Sequence, residues 1–313
     1  MGTTLLLTDE DIIACVAMRD AVQAMRDALR ARAAGDMVFA PRAGMAVGET
    51  SLVWTPGGFL DAQTVGLRLY LTGARRADQL VALWDAGSGA LRCLALGNAL
   101  GRMRTGAIGG VAIDALSRED ASVLGVVGFG VQAFAQVEAA LAVRGIRRVQ
   151  AFRRDAAELA RLADAGRARW GVEVVAEDSA EAAVMGADIV VSATSAEEPV
   201  LRAEWLRPGT HVSSLGPKYR GRQEIGVDVA QAAARIVCDF PEQYLGEEDF
   251  FLHGTPELGR MQDLAQVVAD GVRRDPDDIT LFLSHGLAGT EVRLLQLAWQ
   301  RAKAQGIGRE IAI

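Results

Sequence analysis

Gly128-Phe-Gly130-Val-Gln-Ala133 matches G-x-G-x-x-A between an apolar stretch, Ser122–Val127, and a helix-forming one. The first glycine permits a tight turn. The second lets backbone approach a pyrophosphate, and small Ala133 lets helix and strand pack closely. A helix N-terminus at Val131 and Gln132 favours negative phosphates. This spacing predicts a dinucleotide site at Gly128, Gly130, Val131, Gln132 and Ala133. The next apolar stretch ends Phe152-Arg153-Arg154-Asp155. A carboxylate there would accept from a ribose 2′-hydroxyl, whereas two guanidiniums suit a 2′-phosphate. Arg153 and Arg154 therefore favour NADP(H) over NAD(H). The plainer alternative is a solvated pair with Asp155 as a helix cap. Only two of the 33 basic residues are lysine, Lys218 and Lys303. A genome rich in arginine codons explains that bias, but lysine is the cation whose proton can be moved, so a retained one draws attention.

The elements around these residues change texture along the chain. Thr8 reads as an N-cap with Asp11 in the reciprocal position. A helix from Asp20 buries Val22, Met25 and Leu29 and stops at Gly35. From Phe39 to about Leu96, short runs such as Ser51–Trp54, Thr64–Leu71 and Leu80–Trp84 are bounded by Gly, Pro and Asp. They predict strands of an antiparallel or mixed sheet, with Asp85–Gly89 as a hairpin turn. Leu100–Leu116 is helical. Beyond it, strands at 122–127, 148–152, 172–176, 188–192, 211–215 and 235–239 are separated by helices through 136–143, 156–169 and 179–185. This alternation predicts a Rossmann-type, doubly wound parallel sheet of the α/β class. Leu294–Gln305 is an amphipathic helix expected to pack back on the N-terminal α+β part. The expected domains are residues 1–118, completed by 293–313, and residues 119–292.

Composition excludes other classes. The 313 residues are 50% hydrophobic and 23% charged, the balance of a globular protein with room for two cores. A net charge of -7 without any basic run argues against nucleic acid. No stretch reaches 18 apolar residues, so no bilayer span is expected, and Thr8–Asp11 interrupts any signal-like start. Three scattered cysteines, Cys15, Cys93 and Cys238, argue against a disulfide framework and for a reducing cytoplasm. His211, His253 and His285 lack metal-ligand spacing. Trp54 and Trp84 read as core or pocket wall. The acidic run Glu242–Asp249 reads as a solvated face, with Pro241 marking a turn.

Further motifs join the glycine loop: Arg104-Thr-Gly-Ala107, Gly186-Ala-Asp-Ile189, Ala193-Thr194 with Pro199, Pro208-Gly-Thr-His-Val212 and Ser284-x-Gly-Leu-Ala288. Together they resemble the ornithine cyclodeaminase/mu-crystallin family from Pro41–Arg42 to Gly306–Gly308. The resemblance implies a homodimer whose N-terminal domain supplies the dimer interface and the substrate pocket. It also implies a bound nicotinamide dinucleotide and hydride transfer at the α-carbon of a small amino acid or its imine. It places Thr105, Ala193, Thr194 and Ser284 at the cofactor, and Arg42, Arg68 and Arg104 at the substrate carboxylate. His285 stands where the family often has a small or hydroxyl residue beside the nicotinamide, so it either touches substrate or is a loop histidine.

Two departures matter. The family usually has lysine where this chain has Arg68, which keeps a cation but loses a proton easily given up. By the register of Gly216, Gly221 and Glu224, the family's catalytic Asp falls on Lys218. An ammonium there would repel a substrate ammonium, attract a second carboxylate, or protonate an imine nitrogen during hydride delivery. Burial beside the three arginines would bring its pKa toward the working range. Lys218 and Arg68 are thus the catalytic candidates of an imine reductase or amino-acid dehydrogenase, with an anionic or dicarboxylic substrate in view. The rivals are a cyclodeaminase, which returns its cofactor unchanged, and an NADPH-binding protein whose chemistry has decayed.

Overall fold

In the computed structural model, which describes residues 2–73, 78–272 and 274–312, the first helix is closed by the expected box. Thr8 accepts from the Asp11 amide and the Asp11 carboxylate accepts from the Thr8 amide. The chain runs β1 (Thr3–Leu7), α1 (Asp9–Cys15), α2 (Met18–Ala34), β2 (Met37–Phe39), β3 (Ala43–Val47), β4 (Thr50–Phe59), β5 (Thr64–Thr72), β6 (Leu80–Asp85), β7 (Leu91–Leu96) and α3 (Ala99–Leu116). It continues β8 (Val123–Val127), α4 (Val131–Val143), β9 (Arg148–Phe152), α5 (Ala156–Trp170), β10 (Glu173–Ala176), α6 (Ala180–Val184), β11 (Ile189–Ser192), β12 (His211–Ser214), β13 (Lys218–Tyr219), β14 (Arg222–Gln223), α7 (Val227–Ala232) and β15 (Arg235–Cys238). Then follow α8 (Pro241–Gly246), β16 (Met261–Asp263), α9 (Leu264–Asp270), β17 (Thr280–Leu283), α10 (Thr290–Gln305) and β18 (Arg309–Ala312).

Two compact units emerge, Met1–Ala107 with Leu287–Ile313, and Ile108–Gly286. The boundary falls inside α3, where the sequence motifs had suggested residue 118, and the return is at 287 rather than 293. The first unit holds a mixed sheet in the order β18-β1-β7-β6-β5-β4-β2, with β3 also on β4. All its pairs are antiparallel except β1 with β7. Helix α2 begins at Met18, two residues before the expected Asp20, and buries Val22, Met25 and Leu29. Helix α10 packs against α2 and strands β4–β6, burying Leu294, Leu295 and Ala298. One close approach makes this possible. A Cβ on Gly57 of β4 would lie 2.4 Å from the Cα of Gly289, the N-cap of α10, so glycine is needed for the helix start to reach the sheet.

The second unit holds an all-parallel sheet in the order β10-β9-β8-β11-β12-β17-β15-β16. Alternate residues of one strand feed different cores. Ile189 and Val191 join Leu124, Val126 and helix α4 on one face; Val190 joins Val212, Ile236 and Val229 of α7 on the other. Burial on both faces explains the continuous apolar strands. The order reverses between β8 and β11, which makes the carboxyl ends of those strands the ligand crevice of such a sheet. No helix among the described residues is long and apolar enough to cross a membrane.

Candidate active site

The glycine loop forms a cradle at the end of β8. Gly128 has φ +87°, and a Cβ there would lie 2.5 Å from the Ala193 carbonyl and 2.6 Å from Thr194 Cγ2, so only glycine fits. Gly130 is the N-cap of α4 with no side-chain cap, and the space where its Cβ would stand is open to 4 Å. The first amides of α4, at the exposed Val131 and Gln132, therefore face outward while Ala133 is buried in the core. An anionic pyrophosphate fits these donors. Beyond β9, Arg153 donates to the Phe129 carbonyl at 3.3 Å and lies 3.9 Å from Glu158. Arg154 is exposed, and the Asp155 carboxylate is engaged as N-cap of α5, accepting from the Glu158 amide at 3.0 Å.

Next to the cradle, buried charges knit the carboxyl ends of β11, β12, β15 and β17. Glu224, fully buried, accepts from the Thr194 amide (2.8 Å) and hydroxyl (3.0 Å), the Ser214 hydroxyl (2.7 Å) and the Gly216 amide (2.5 Å). Asp239, immediately after β15 and fully buried, accepts from the His285 and Gly286 amides and the Ser284 hydroxyl at 2.9, 2.8 and 3.2 Å. Lys218 is 3% exposed. Its ammonium donates to the carbonyls of Gly216 (2.7 Å) and Ser284 (2.9 Å). Burial pushes its pKa down to about 8, against the pull of Glu224, Asp239 and Glu247. This corrects the expected cause: burial does the lowering, and the neighbouring charges are carboxylates that oppose it. The local field therefore disfavours a second substrate carboxylate instead of attracting one.

His285 sets Nε2 3.2 Å from a Glu247 carboxylate oxygen, with the Tyr244 ring edge-on at 4.8 Å. The run read as a solvated face is thus only partly so. Pro241 starts helix α8, Tyr244 is fully buried and Glu247 turns toward His285, while Glu242, Glu248 and Asp249 stay exposed.

The first unit carries a separate cluster. Arg68 occupies the inward face of β5 with Thr64 and Gly66. It donates through Nη1 to Glu291 at 3.0 Å and through Nε to Gln79 at 2.9 Å, and its guanidinium lies 4.2 Å from the centre of the Tyr70 ring. Arg104 of α3, 4% exposed, brings Nε within 2.7 Å of the same Glu291 oxygen. Glu291 sits in the first turn of α10, where the close approach of Gly57 and Gly289 lays the helix start on the sheet. Burial pushes its carboxyl up, but Arg104 and Arg68 outweigh this and hold it below the usual range. Thr105 donates to the Gly101 carbonyl at 2.9 Å. Arg42 is exposed, on the linker between β2 and β3. The structure thus unites Arg68 with Arg104 around one carboxylate, and Lys218 with Ser284, and places Arg42 on the exposed β2–β3 linker.

Three residues escaped the sequence reading: Glu291, Asp239 and Glu247. Asp239 had a signal, an acid directly after an apolar strand at the carboxyl edge of a parallel sheet. Glu291 had none, since its partners lie far off in sequence. Among the described residues no group of three or more His, Cys, Asp or Glu is placed to hold a metal ion.

Residues 3–306 match the model of the ornithine cyclodeaminase/mu-crystallin family. An alanine dehydrogenase of Archaeoglobus fulgidus is 27% identical over 337 residues, covering 98% of each chain. An iminosuccinate reductase of Paracoccus denitrificans is 31% identical, covering 85% of this chain and 86% of the other. The structure of Thermococcus litoralis Delta(1)-pyrroline-2-carboxylate reductase, in complex with NADH and L-proline, superposes with a TM-score of 0.91 at 27% identity. It covers 98% of this chain and all of the other.

Proposed function

The chain belongs to the ornithine cyclodeaminase/mu-crystallin family, and from that premise we propose that it moves a hydride between a nicotinamide dinucleotide and the α-carbon of a small amino or imino acid. The observation that carries this reading is the pair of buried guanidiniums, Arg68 and Arg104, in a chain that also bears a glycine-loop cradle. A guanidinium recognises a carboxylate in two directed bonds. The relatives named alanine dehydrogenase, iminosuccinate reductase and pyrroline-2-carboxylate reductase act on substrates of this class.

Val131 and Gln132 at the start of α4 would hold the pyrophosphate of a nicotinamide dinucleotide, which would supply or take the hydride. Glu224 and Asp239 hold the loops after β11, β12 and β17 in shape. Lys218 spends two of its three ammonium hydrogens on the Gly216 and Ser284 carbonyls. The remaining one is the proton it gives to an imine nitrogen on reduction, or takes back on oxidation. A pKa of about 8 keeps it charged near neutrality yet able to let the proton go. The carboxylates around it favour a cationic nitrogen nearby.

NADP(H) is the preferred cofactor in this reading. Asp155 is engaged in capping α5, which leaves the Arg153–Arg154 pair at the place where a ribose carboxylate would act. We also assign a homodimer. A groove of about 330 Å³ with Val38, Leu60 and Val65 on its lining gives the first unit an apolar face for a second copy, and a structural relative is described as an alanine dehydrogenase dimer. Cys15, Cys93 and Cys238, all buried and in no disulfide among the described residues, suit a reducing compartment.

The test is absorbance at 340 nm with NADPH or NADH and with pyruvate plus ammonia, pyruvate plus methylamine, or a cyclic imino acid. Stoichiometric oxidation supports the reading. Ammonia release from ornithine without net cofactor consumption would replace it with cyclodeamination.

A further inference from the structure

The first unit buries three charged side chains in one place, Arg68, Arg104 and Glu291, which are 9%, 4% and 1% exposed. One carboxylate oxygen serves both cations. Among the described residues, the other oxygen of Glu291 and the Nη1 of Arg104 have no hydrogen-bond partner although both are buried. A cluster that served packing alone would saturate such atoms, because a buried polar atom left unpaired is costly. This one keeps a donor in reserve, and its formal charges sum to a single positive. Its geometry is held from several sides: Tyr70 faces Arg68, Gln79 accepts from its Nε, and a Cβ on Gly101 would lie 2.6 Å from Gln79 and 3.3 Å from Arg68.

We infer that Glu291 sets the charge selectivity of this site: it cancels one of the two guanidiniums, so that the cluster takes a ligand with one carboxylate and rejects one with two. The inference rests on the reading of Arg68 and Arg104 as a carboxylate site and narrows it. Two unopposed guanidiniums would welcome a dicarboxylate. With Glu291 between them, a second ligand carboxylate meets a fixed like charge in a poorly solvated place, where repulsion is strong. The substrate is then a monocarboxylic amino or imino acid.

The test is calorimetric titration of propionate and of succinate into the protein at equal ionic strength, with and without NADPH. The wild-type chain is expected to bind propionate more tightly by about tenfold or more, the scale of one unscreened like-charge contact. Glu291→Gln is expected to move the ratio toward succinate by about tenfold. Glu291→Asp, which keeps the charge, should leave the ratio in place even where both affinities fall. A wild-type chain that binds succinate as well as propionate, or that binds neither, overturns the inference. So does a folded Glu291→Gln protein with an unchanged ratio. Should Glu291→Gln fail to fold, the wild-type ratio and its persistence in Glu291→Asp decide. The readout is binding, so absence of turnover would sink the redox reading without touching this ratio. Turnover with a flat ratio would sink this inference alone.

Discussion

The two charged clusters, Arg68–Arg104–Glu291 and Glu224–Asp239–Lys218, bury charge in opposite ways. In the first, charged side chains meet one another: Arg68 and Arg104 both close on Glu291. In the second, they meet backbone: Glu224 and Asp239 collect amides of Thr194, Gly216, His285 and Gly286, and Lys218 collects carbonyls of Gly216 and Ser284. Charges fastened to backbone fix the course of loops and can be replaced only by groups of the same reach. Charges fastened to each other hold a balance that one substitution can tilt. The second cluster thus holds loop shape, and the first holds a charge balance.

Arg104→Ala should have the largest effect. It leaves Glu291 buried with half its compensation and is expected to cost about 3 kcal/mol or more, measured by denaturant unfolding. A loss under about 1 kcal/mol, the range of exposed pairs, would mean that the cluster is not the balanced unit described. Lys218→Met comes next. It should lower kcat/KM by about a hundredfold, within the range of general acid catalysis, with cofactor affinity kept. The wild-type profile should lose activity as pH rises through about 8, where Lys218 deprotonates. The variant should lack that limb.

The same group predicts a stability trend. Its folded pKa is about 8 against an ordinary value of 10.5, so the unfolded chain holds the extra proton between those values. The Lys218 contribution to stability should therefore rise with pH across that window, by up to about 3 kcal/mol, and the rise should be missing in Lys218→Met. A contribution that fell with pH would contradict the buried, lowered amine. The smallest effect is expected from Arg153→Ala with Arg154→Ala. NADPH affinity should drop about tenfold relative to NADH, the value of one or two charge-assisted bonds. An unchanged ratio would leave these arginines as part of a solvated surface.

Legibility in the sequence followed the range of the interactions. The parallel sheet was readable because strand, glycine loop and helix follow one another within a few residues, and the boundaries of β8 and β9 fall within a residue of expectation. Strand β17 was missed because four residues after an acidic loop carry no period of their own. β1 and β18 were missed because each pairs only with strands far off in sequence, β1 with β7 and β18 with β1. At the site, Gly128 and Gly130 speak through local geometry. Arg68 looks like any charged residue on a half-buried strand until Glu291 is known, and Lys218, notable as one of two lysines, gained a place in the site only from the family register. Glu247 was hidden by its acidic neighbours, since composition cannot tell which member of a charge run turns inward.

The first unit is split in sequence, and this sets an order of events on the ribosome. Arg68 and its counter-ion are 223 residues apart. Every residue of the second unit is translated before Glu291. The parallel sheet can mature while the first unit still lacks α10 and β18, so that two arginines destined for burial remain hydrated until the final segment is made. Arrival of that segment would then act as a late checkpoint: a nascent chain truncated before Thr290 is expected to hold a folded nucleotide unit beside an unfinished partner that proteases and chaperones can recognise.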